Sequence, residues 1–88
     1  MNFLKNLFGR KAVEEIVEDY DGYRIFPTPM PAGSKFRLSA RIELDVDGET
    51  LVHHLIRADT LDDADHASSV AILKAKQVID QQGKGMFR

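Results

Sequence analysis

Eighty-eight residues with no cysteine allow one domain with a modest core, and they exclude a disulfide framework or a thiolate metal site. A hydrophobic share of 43% and a charged share of 30% describe an ordinary folded chain, which argues against wholesale disorder. The formal net charge of -2 argues against polyanion binding over the whole surface and leaves only a local basic patch for nucleic acid.

At the N-terminus, Phe3, Leu4, Leu7 and Phe8 share one side of a short amphipathic segment flanked by Lys5, Arg10 and Lys11. Two helical turns are too few to be stable alone, so the segment is expected to tuck onto its own domain or to dock elsewhere. Lys5 and Asn6 interrupt its apolar character and no small-residue cleavage site follows, so it does not read as a signal peptide. No apolar run approaches the roughly 18 residues of a membrane span, and the expected location is cytoplasmic. Residues 9–21 carry Glu14, Glu15, Glu18, Asp19 and Asp21 among few apolar residues and read as a solvated acidic linker. The domain boundary is therefore placed after residue 19.

Residues 22–26 (GYRIF) alternate and are rich in β-formers, which predicts a first strand stopped by Pro27, Pro29 and Pro31. The stretch from Pro27 to Ser34 then reads as a stiff exposed connection with Met30 at its tip. From Lys35 to Asp47, Phe36, Leu38, Ala40, Ile42, Leu44 and Val46 alternate with Arg37, Ser39, Arg41, Glu43 and Asp45. This predicts a strand with one apolar and one wet face. Asp47-Gly48 signals a hairpin, and residues 51–58 return as a third strand. A two-residue loop would put Leu51, His53, Leu55 and Arg57 on the apolar face. A three-residue loop would put Val52, His54, Ile56 and Ala58 there, and apolarity slightly favours this second set.

Thr60 to Gly83 reads as one amphipathic helix. Thr60 with Asp63 resembles a capping box, and Asp62 and Asp65 suit the positive end of the helix dipole. At about 100° per residue, Leu61, Ala64, Ala67, Ala71, Ile72, Ala75, Val78 and Ile79 gather on one face. Gly83 is the expected stop, with residues 84–88 as a tail. The fold class expected is α+β: a three-stranded antiparallel meander over residues 20–83, covered on one face by the C-terminal helix (β-β-β-α).

Several runs of this chain resemble the small bacterial HlyU family: residues 22–31 (GYRIFPTPMP), 47–49 (DGE), 56–60 (IRADT), 74–83 (KAKQVIDQQG) and the N-terminal FLKNLFG. That resemblance covers nearly the whole chain. It implies a bacterial, cytoplasmic domain of this size linked to transcription, the family being named for activators of a haemolysin gene.

The residues themselves constrain how such a domain could act. A helix-turn-helix needs two successive helices, and only one full helix is predicted here. Its start carries Asp62, Asp63 and Asp65, which repel phosphate at the end that usually attracts it. The nucleic-acid candidates are instead Arg24, Arg37 and Arg41 on the wet sheet face, in a row continued by Glu43 and Asp45. Tandem His53-His54 cannot hold one metal from a strand, because successive side chains point to opposite faces. The aspartate cluster lacks the calcium-loop pattern. No GxSxG, phosphate loop or metal motif is present, Ser39, Ser68 and Ser69 have no identifiable base, and no cofactor is expected. Val70 and Leu73 fall opposite the alanine stripe and, with Phe3, Leu4, Leu7 and Phe8, are the candidates for a partner contact or a homodimer. Two readings follow: a non-enzymatic regulatory domain, or a self-associating interaction module without nucleic-acid contact.

Overall fold

The computed structural model describes residues 16–88, so the expectations for Phe3, Leu4, Leu7 and Phe8 lie outside the described residues. The long alternating run forms β4 (Lys35–Val46), the spine of the molecule. Around it are β1 (Glu18–Tyr20), β2 (Tyr23–Pro27), β3 (Met30–Ala32) and β5 (Glu49–Leu61), followed by α1 (Ala64–Gln82) and a closing 3-10 turn (Gly83–Phe87). Every strand pairing is antiparallel. Both β2 and β5 pair with residues 40–43 of β4, so they occupy its opposite edges. Phe36 and Arg37 pair with β3 and also with β5, which puts β3 on the β2 side.

Among the described residues five strands appear where three are expected. β2 and β3 are one path along β4, broken at Thr28 and Pro29 because proline has no N–H to give the ladder. Thr28 bridges the gap: its N–H donates to the Ser39 carbonyl at 2.9 Å. β1 replaces part of the expected acidic linker. Asp21-Gly22 has the same geometry as Asp47-Gly48, with φ of 53° and 85° against 52° and 83°. Two left-handed residues in succession make the primed turn whose twist suits a two-residue hairpin. β1 is also tied to the helix. Lys76 forms an ion pair with Glu18, and the Tyr20 hydroxyl donates to Asp80 at 2.8 Å.

The second hairpin corrects the slight preference for Val52, His54, Ile56 and Ala58 as the core set. Val46 faces Glu49 directly, so Asp47-Gly48 is the whole loop. Leu51 then lies opposite Leu44, His53 opposite Ile42, and Leu55 opposite Ala40. Turn chemistry outweighs a small difference in apolarity, because a mismatched loop disrupts the whole ladder. An irregularity follows between Arg37 and Ser39, where β5 bulges through Arg57, Ala58 and Asp59.

The helix begins later than expected. Thr60 and Leu61 still pair with Arg37 and Phe36 as part of β5, and the N-cap is Asp63, whose carboxylate accepts the His66 N–H at 2.8 Å. Ala67, Ala71, Ala75 and Ile79 are its buried residues. Ala71, Ala75 and Ile79 pack on Tyr23, Ile25, Ala40 and Ile42, so the helix supplies closeness and the sheet supplies bulk. Gly83, at φ 52°, ends the helix. Residues 84–88, expected as a tail, cap the core: Met86 is buried and the Phe87 ring stacks on Tyr23 at 6.4 Å.

Candidate functional site

Because α1 covers one face of the sheet, the opposite face is the one that no other element among the described residues covers. Its rows follow from the register. Asp19, Arg24, Glu43 and Val52 form one row across β1, β2, β4 and β5, and Phe26, Arg41 and His54 form the next. Ser39 with Ile56, Arg37 with Met30 and Thr60, and Asp45 with Thr50 complete the face.

The three predicted arginines share this face, but two of them are engaged within it. Arg24 donates to Asp45 through Nη1 at 2.8 Å and through Nη2 at 3.1 Å, and Nη2 also reaches Glu43 at 3.1 Å. Arg41 Nε donates to the other Glu43 oxygen at 2.8 Å, and its guanidinium lies 4.1 Å over the Phe26 ring. Glu43 therefore joins both arginines into one network, which ends where Thr50 donates to Asp45 at 2.7 Å. Networked, partly sheltered pairs hold geometry better than isolated surface pairs. The two hydrogen-bonding partners Arg24 and Thr50 hold the Asp45 carboxyl down at about 2. Arg37 is exposed, and among the described residues no carboxylate pairs with it. Among the described residues, Arg24, Arg37 and Arg41 are balanced on this face by Asp19, Glu43 and Asp45.

Between these charges the face carries apolar side chains. Met30, Val52 and Ile56 are 38%, 45% and 57% exposed. Met30 could be anticipated at the tip of the proline stretch. Val52 and Ile56 could not, since apolarity alone assigns them to the core; the signal that places them outward is the Asp-Gly turn. Ser39 is buried, and its hydroxyl lies 2.9 Å from that of Thr28.

Elsewhere, Leu73 is 56% exposed on the far side of the helix, and Val70 is half-buried. The tandem histidines part as strand geometry requires, His53 on the helix side and His54 on the open side. Lys35 reaches Asp62 at 2.6 Å and lowers its pKa, so part of the acidic cluster at the helix start is neutralised. Among the described residues no helix is long and apolar enough to cross a membrane.

Comparison with curated proteins and with solved structures found no match. A family model described as transcriptional activator HlyU matches residues 2–87, which takes in every strand and the helix of this fold. The α+β domain with its open, charge-balanced sheet face therefore belongs to the HlyU family.

Proposed function

We propose that this domain is a non-enzymatic regulator of transcription whose open sheet face docks on a protein surface. The carrying observation is the engagement of Arg24 and Arg41 by Glu43, Asp45 and the Phe26 ring. A phosphate would have to displace carboxylates already within 3.1 Å, and among the described residues the face offers no surplus of positive charge to attract it. Its composition suits protein contact instead. Arginine, aromatic residues and methionine are the types enriched at such interfaces, and paired charges at fixed positions give specificity more than raw affinity.

The test replaces the chromosomal copy with a Met30→Asp, Arg37→Glu variant, both positions being exposed. The variant keeps the melting temperature of the parent to within about 4 °C. The expected transcript profile is that of the deletion strain. A profile identical to the parent's contradicts the assignment of this face.

A second reading, direct duplex contact, draws support from Arg37, which is exposed and points out of the same face. One phosphate contact per chain gives a logarithmic salt slope of only about -0.9, too shallow to carry specific binding alone.

A further inference from the structure

The sheet has edges, and they are protected unequally. β1 is a three-residue strand bearing acidic residues, and β3 carries Pro31; short length, charge and proline are the usual guards against edge pairing. β5 has thirteen residues, no proline and no lysine, and among the described strands only β4 pairs with it. Its bulge lies at the far end, after Ile56, which leaves Glu49–Ile56 regular.

Backbone direction follows from the hairpin. Val46 and Glu49 close a two-residue loop, and such a closing pair exchanges both backbone hydrogen bonds. The alternation then turns the N–H and C=O groups of Glu49, Leu51, His53 and Leu55 toward β4. Those of Thr50, Val52, His54 and Ile56 turn outward to the free edge. Outward-turned backbone groups in register with exposed Val52 and Ile56 form a template for another strand.

We propose that β5 pairs antiparallel with β5 of a second copy of this chain, with the two-fold axis at His53. The charges select this register. It brings Glu49 beside Arg57 of the other copy, the first residue past the regular stretch, at both ends, whereas a shift of two residues toward the C-terminus would carry Glu49 toward Asp59. It also puts Leu51 opposite Leu55 twice on the helix side, and Val52 opposite His54 and Thr50 opposite Ile56 on the open side. All outward groups from Thr50 to Ile56 then find partners. A second copy fits better than an unrelated strand because the apolar and charged positions of Glu49–Arg57 are complementary to their own reversal. The pairing joins the open faces of two copies into one surface and does not depend on what that surface touches.

The absence of native cysteine makes the register directly testable on the full chain. Sedimentation equilibrium over a rising concentration series is expected to show a monomer–dimer transition. In mild oxidant His53→Cys is expected to yield a disulfide-linked dimer, since residues facing across a two-fold non-hydrogen-bonded site lie about 4.5 Å apart at Cα. His54→Cys and Thr50→Cys are expected to stay unlinked, the latter pair being separated by about 20 Å along the strands. Arg57→Glu is expected to weaken the dimer about tenfold, and adding Glu49→Arg to restore it, because two symmetry-related contacts change sign together. Along one strand these residues are about 26 Å apart, so no contact within a single copy can produce the rescue. A monomer throughout the series, linkage at position 54 or 50 in preference to 53, or a double variant as weak as the single one overturns the proposal.

Discussion

Asp45 shows how far a single exposed side chain can be held away from its ordinary chemistry. Two donors, Arg24 and Thr50, keep its carboxyl at about 2 instead of 3.8. A depressed carboxyl stabilises the fold fully above its ordinary pKa and ceases to do so as the pH falls through about 2. A carboxyl NMR titration is expected to place the Asp45 midpoint near 2, and the Arg24→Gln variant to move it back toward 3.8. An unmoved midpoint in that variant would mean the clamp is not the cause. Tyr20 is shifted by the same kind of contact in the other direction: its hydrogen bond to Asp80 raises the phenol above 10.0. This proton is a tether, since the hydroxyl that donates to the helix loses that bond once ionised.

At the level of elements, the helix and the long strand are legible from periodicity, but their boundaries are not. Thr60 looks like an N-cap, yet the ladder with Arg37 keeps it in β5, because completing a strand pair satisfies two backbone groups at once. Asp21-Gly22 hides a hairpin inside an acidic stretch, although the identical dipeptide at 47–48 is read at once. Composition masks it there: Glu18 and Asp19 are poor strand formers, and the tie to Lys76 that favours β1 is a contact with a residue far along the chain. The alanine stripe is the most reliable part. Ala75 is fully buried against the sheet, so Ala75→Leu is expected to cost about 1–3 kcal/mol in urea unfolding through overpacking. Leu73→Glu, on the far side, is expected to change it by less than about 0.5 kcal/mol. If both cost the same, the helix is rotated relative to this arrangement.

For the whole molecule, the arginine row was visible in the sequence and its neutralisation was half visible. Glu43 and Asp45 stand in the same alternation as Arg37 and Arg41, but that Arg24 reaches both acids depends on how β2 pairs with β4, which alternation alone does not specify. The exposed Val52 and Ile56 depend in turn on the hairpin loop. This member of a family named for transcriptional activation carries, among the described residues, a charge-balanced sheet face beside a long strand that only β4 pairs. On the proposed reading, the domain acts on transcription without direct phosphate contact.

Fluorescence anisotropy of a labelled mixed-sequence duplex, titrated with the full chain at low salt, tests it most directly. No binding isotherm is expected up to high micromolar protein. Binding whose affinity falls with salt at a logarithmic slope of about -2 to -3, and that disappears when Arg24, Arg37 and Arg41 are replaced by alanine, would contradict it.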